Sequence, residues 1–199
     1  MSIPAEGRRE AQRLEGFSDG VIAVVITIMA LGLNVPSETT WHALGQQLPS
    51  LLVYVLSFTL IAIYWNNHHH LFRATQAISG AVMWANLHLL FWLSLIPVAT
   101  KWVGEAHQAS LPASVYGIVS LGAAAAYALL VQTIILANGR DSIVARGIGS
   151  DLKGRLSVIL FTVGIGLAWV RPWIAYALYV GVALLWLVPD RRLSRQASP

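Results

Sequence analysis

From Phe17 to Val35 the chain runs 19 residues without a lysine or arginine, and its only acidic side chain, Asp19, stands near the start. In water a run so rich in β-branched residues reads as a buried strand. As a helix rising about 1.5 Å per residue it is just long enough to cross a hydrocarbon layer roughly 30 Å thick. Composition decides between the two. The chain is 56% hydrophobic and 11% charged, whereas soluble domains carry about 25% charged residues. Such a balance places it in the membrane class and makes the first run a helix.

Five more apolar runs follow, and the expected fold is all-α with six transmembrane helices per chain. The spans are expected at about 17–35, 48–65, 78–102, 112–137, 156–170 and 173–188, with 189–199 a cytoplasmic tail and 1–199 one membrane domain. Pro36 stops the first span and Pro97 kinks the third. In the fourth, Gly117, Gly122 and the run Ala123–Ala126 form a small-residue face for close helix contact, and Asn138-Gly139 ends it. All but Lys101 and Arg171 of the 13 lysines and arginines fall in the N-terminal segment, the 2–3 and 4–5 connections and the tail. That bias puts both termini on the cytoplasmic side, and explains the net charge of +4 without nucleic acid. Tryptophans near span ends, such as Trp41, Trp65, Trp102 and Trp173, suit interfacial belts, though each also suits packing. Glu6, Glu10 and Glu15 and the absence of an A-x-A site speak against a cleaved leader.

With no cysteine, disulfides, thiolate metal sites and cysteine nucleophiles are excluded. Acidic residues sit near span ends or in loops, with no nucleophile–base pairing and no H-E-x-x-H, so the chain is not expected to be an enzyme. No span carries the regularly spaced arginines of a voltage sensor. His68-His69-His70 cannot all point one way on a helix, which makes them a poor three-ligand metal or haem site. They suit hydrogen bonding, with pH sensitivity within reach because histidine titrates near neutrality.

On the first span Gly20, Val24, Thr27, Ile28 and Leu31 recur at helical spacing on one face. A lipid-facing or core helix, its threonine bonded to its own backbone, explains that face adequately. Repeated around an axis, the same face makes stacked rings: aliphatic ones that can dewet, and a hydroxyl ring that can meet a partly dehydrated alkali cation. Ser18 and Asp19 lie in the first turn, where helix capping accounts for them. Close to His68–His70, Asn86 and His88, they and Arg13 could equally enter a polar network, because polar groups in lipid must find partners.

Arg13-x-x-x-Phe17-Ser18-Asp19 opening the first of six spans resembles the R-x-x-x-F-S-D signature of the transmembrane protein 175 family of potassium channels. His69-x-Leu71-Phe72 after span 2, and Asn86-Leu87 through Pro97 along span 3, extend the resemblance; spans 4 to 6 match only in number and length. The resemblance implies one six-span unit per chain, four chains around an axis, and a pore lined by the first helix without the TVGYG filter of ordinary potassium channels. It implies that Val24, Ile28 and Leu31 form the hydrophobic constriction and that Thr27 supplies potassium preference. Arg13, Phe17, Ser18, Asp19, His69 and Asn86 would form the structural network that fixes the helix and the subunit contacts. Valine at the constriction departs from the isoleucine or leucine usual there, and puts tight closure in doubt.

The expectation is therefore a potassium-selective leak channel. It would be a homotetramer in a bacterial inner membrane, with no cofactor or metal and with potassium as the permeant ion. The rivals are a proton- or cation-coupled secondary transporter using Asp19 and the histidines, and a histidine-based haem- or metal-handling membrane protein. Against the transporter, no internal repeat or broken midplane helix is evident.

Overall fold

A computed structural model describes residues 5–139, 141–142, 144–145 and 151–187. The expected tail 189–199, residue 188 of the expected sixth span and part of the charged 140–155 segment lie outside the described residues. Among those described, every regular element is a helix: α1 (Ala5–Leu31), α2 (Trp41–Gln46), α3 (Leu48–Ala74), α4 (Gly80–Glu105), α5 (Ser110–Asn138), α6 (Leu152–Leu167) and α7 (Pro172–Leu187). Four are long and apolar enough to cross a membrane: α1 from Gly7, α3, α4 and α5. At 16 residues each, α6 and α7 reach about 24 Å.

Helix ends follow local chemistry. Thr40, Ser79 and Asp151 cap α2, α4 and α6, their side-chain oxygens accepting from Ala43 N, Val82 N and Gly154 N. The first span, expected to reach Val35, stops as a helix at Leu31. There Gly32 N donates to Ile28 O and Met29 O and Leu33 N to Ala30 O, a tightened last turn, and Pro36 has no N–H to resume it. Conversely, α3 does not stop at Trp65 but runs on through the histidines to Ala74. Its polar end stays helical because α1 and α4 supply partners for those side chains.

α4 lies against α1, α3 and α5, while α5 also meets α6 and α7. Small residues set these approaches. Trp92 of α4 lies over Gly122, where any side chain would strike its ring. Tyr179 of α7 sits between Gly117 and Gly164; a Cβ on Gly164 would come 2.5 Å from its ring. The Tyr179 hydroxyl donates to Ala113 O at 3.2 Å. The expected stop at Asn138-Gly139 has a second purpose. Asn138 Oδ1 accepts from Gln76 N and Ala77 N, both at 2.8 Å, and its Nδ2 donates to Ala77 O and Ile134 O. One side chain thus clamps the α3–α4 turn to α5, with Gly139 leaving the helix at φ +90°.

Candidate functional site

α1 has two unlike faces. Ser18, Ile22, Val25 and Met29, at i, i+4, i+7 and i+11, are buried against the bundle. The opposite stripe is left open among the described residues: Val24 is 56% exposed, Ile28 55% and Leu31 80%. Thr27 and Gly20 are exposed beside them. Thr27 Oγ1 donates to Ala23 O at 2.9 Å, one turn back. That bond uses its only proton and leaves the exposed oxygen free to act only as an acceptor, the role in which a hydroxyl can meet a cation.

What holds this stripe in place is a directed chain of buried hydrogen bonds. Ser18 and Asp19 do not cap a helix start, since α1 begins at Ala5; Ser18, fully buried, donates to Leu14 O at 2.8 Å. Its proton being committed, it can only accept, and Asn86 Nδ2 of α4 donates to it at 2.9 Å. The Asn86 amide oxygen therefore faces His68 Nε2 of α3, 2.9 Å away, and His68 must be the donor. The ring is locked as the Nε2–H tautomer, stacked on Phe72 at 4.4 Å, with a buried Nδ1 that has no partner among the described residues. One hydroxyl, one amide and one imidazole thus join α1, α4 and α3.

Two flanking contacts join α1 to α3. Trp65 Nε1 donates to Asp19 Oδ1 at 3.0 Å, and His69 Nδ1 lies 2.7 Å from Glu15 Oε1. The Trp65 and His69 rings stack at 6.0 Å, so the two contacts share one surface. Near the other end of α1, Tyr116, Ser57 and Thr100 lie in sequence at 3.0 and 2.7 Å, and Thr100 donates to Ile96 O at 2.7 Å. Met29 Sδ sits 3.8 Å from the Thr100 oxygen. α1 is thus packed against polar clusters near both of its ends.

Of the residues expected in the network, Ser18 and Asn86 bond directly to each other, and Asp19 and His69 bond to α3 and α1 respectively. Arg13 is exposed and Phe17 is 53% exposed; neither touches that chain, and Arg13 makes no hydrogen bond or ion pair among the described residues. His68, expected with its two neighbours in such a network, is a central member; Glu15 and Trp65 join it without having been singled out from the sequence. Continuing the α3 register beyond residue 65 places Trp65 with His68, since 61, 65, 68 and 72 fall on one helical side; Glu15 lies on α1 and gives no such signal. His88 is apart from the network, accepting from Trp92 Nε1 at 3.0 Å. Among the described residues no group of three or more His, Asp or Glu could hold a metal ion.

Comparison with known proteins bears on this geometry. The family model described as "Endosomal/lysosomal potassium channel TMEM175" matches residues 13–97, the part that carries the stripe and its network. A potassium channel of Chryseobacterium sp. (strain P1-3) is 47% identical over 183 residues, covering 92% of this chain and 95% of its own length. The crystal structure of a lysosomal potassium-selective channel TMEM175 homolog from Chamaesiphon minutus superposes with a TM-score of 0.81 at 26% identity, covering 90% of this chain and 97% of that one. A more distant relative, described as the endosomal/lysosomal proton channel TMEM175 of Mus musculus, is 25% identical over 97 residues, 46% of this chain and 19% of its own length.

Proposed function

The chain belongs to the TMEM175 family, and from that premise we propose that it is a potassium-selective channel formed by four copies, each contributing α1 to a central pore. Each copy crosses the membrane six times, the 16-residue α6 and α7 supplying the last two spans. Both termini lie on the cytoplasmic side of a bacterial inner membrane, as the arginine and lysine distribution favours.

The observation that carries this reading is the exposed stripe of α1 opposite a face fixed by buried hydrogen bonds. A lipid-facing helix tolerates a threonine bonded back to its own carbonyl, whereas in a pore the same oxygen can meet an ion. Val24, Ile28 and Leu31 form aliphatic rings, narrow enough when dewetted to stop ions and, when hydrated, to let them pass. Between the first two rings, Thr27 offers neutral oxygens, ligands suited to an alkali ion that has shed part of its water. Ser18, Asn86 and His68 hold the helix rotation that keeps these residues inward; they do not touch the ion. Potassium is the only small ligand the mechanism requires.

The test is flux. Purified protein in liposomes should pass potassium down its gradient, and the same sample should have the mass of four chains. Bi-ionic reversal potentials against sodium and across a pH step separate potassium from sodium and from the protons named for the mouse relative. A monomer without flux would defeat the proposal.

A further inference from the structure

Resting on the fourfold reading above, we infer that the cytoplasmic half of α1 is a self-complementary seam. In it, Glu10 and Phe17 of each copy engage the Arg9–Arg13 pair and the Gly16–Gly20 notch of the next. At about 100° per residue, with Val24 facing the axis, Glu10 and Phe17 lie roughly 40° and 20° to one side. On the same basis Arg13, Gly20, Arg9 and Gly16 lie roughly 20°, 40°, 60° and 80° to the other. In a square of parallel helices each copy meets its neighbours about 45° to either side of the axis, so the first flank of one copy faces the second flank of the next. Closed rotational symmetry allows no axial offset, so only residues at equal height can meet. They match: Glu10 falls in height between Arg9 and Arg13, and Phe17 between Gly16 and Gly20.

The protomer leaves all six uncommitted. Arg9, Glu10 and Arg13 are exposed, and none joins the one ion pair found among the described residues, His69–Glu15. Phe17 is 53% exposed, and a Cβ built on Gly16 or Gly20 meets nothing within 4 Å. A large ring beside a two-glycine hollow one turn long is the shape complement a close helix pair needs. Acidic on one flank and basic on the other is the charge complement of a head-to-tail ring. The occupant is therefore a second copy of this chain. A lipid headgroup would satisfy the arginines but would leave Glu10 opposed.

The experiment reverses charge one flank at a time. Glu10→Arg makes both flanks basic; Arg9→Glu with Arg13→Glu makes both acidic. Each variant alone should lose the tetramer by light scattering in detergent at low salt, where exposed charges are least screened. Co-expressed, the two should regain tetramer mass and potassium flux, because an alternating ring restores every attraction. An unfolded variant could not be rescued in this way. Gly20→Leu, which fills open space in the protomer and removes a poor helix former, should likewise abolish the tetramer without lowering helical content. Persistence of the tetramer in either charge variant or in Gly20→Leu, or failure of co-expression to restore it, would overturn the seam while leaving a conducting wild-type tetramer intact. A wild-type protein that is not tetrameric would overturn both the seam and the pore.

Discussion

Replacing Asn86 with leucine, similar in shape but unable to hydrogen-bond, removes the middle of the chain that joins α1, α3 and α4. Two bonds are lost, one to Ser18 and one from His68, at 2.9 Å each. Ser18 keeps its donor bond to Leu14 O. His68 does not recover: its Nδ1 already lacks a partner among the described residues, and its Nε2–H becomes a second orphan in a fully buried ring. Interhelical bonds inside membrane proteins contribute about 0.6 kcal/mol each and an orphaned buried N–H costs about 1–3 kcal/mol, so the loss should be about 2–4 kcal/mol. That corresponds to a shift of roughly 30- to 1,000-fold in the folding equilibrium. Reversible unfolding in mixed micelles under increasing dodecyl sulfate reads this quantity. Replacing all three groups together, Ser18→Ala, Asn86→Leu and His68→Phe, should recover most of the loss, since no polar group is then left without a partner. If Asn86→Leu costs less than about 0.5 kcal/mol, or the triple variant is worse than the single, the chain is not what secures α1.

Thr27→Ala should keep current and reduce potassium preference over sodium, since it deletes the only hydroxyl on the stripe; unchanged bi-ionic reversal potentials would count against that. Val24→Ala should raise single-channel conductance, because two methyls removed from each copy widen the ring and ease its wetting. A fall in conductance in well-folded protein would make Val24 a packing residue instead. Gly164→Ala should destabilise the α5–α6–α7 packing, because the added methyl meets the Tyr179 ring at 2.5 Å, and should leave selectivity alone. A changed reversal potential there would mean the pore is not confined to α1.

The stripe was legible because spacing on a single helix needs no tertiary knowledge: Val24, Thr27, Ile28 and Leu31 share a side whichever way the bundle packs. That the side is left open by the protomer was not legible, since apolar residues alike face core, lipid and pore. The network was half legible. Ser18 and Asn86 declared themselves as polar groups inside apolar runs. The three histidines were expected near that network, but which of them turns inward was not legible: hydropathy fades at Asn66, and only the packed helix shows His68 inward and His69 toward Glu15. Trp65 looked like an interfacial tryptophan, yet its N–H serves Asp19. Arg13 was grouped with the network because it belongs to the signature, but its position on the helix puts it on the open flank. The clamp by Asn138 could not have been foreseen, as it joins residues 61 and 62 positions apart.

The most direct measurement uses the absence of native cysteine. Thr27→Cys, with Val25→Cys as its buried counterpart, should be treated with a charged, membrane-impermeant thiol reagent while potassium current is recorded. The expected result is rapid and complete block at position 27 and no effect at position 25. Current that survives at position 27, with labelling there only by a lipid-soluble maleimide, would show that the stripe faces the bilayer and that the ion passes elsewhere.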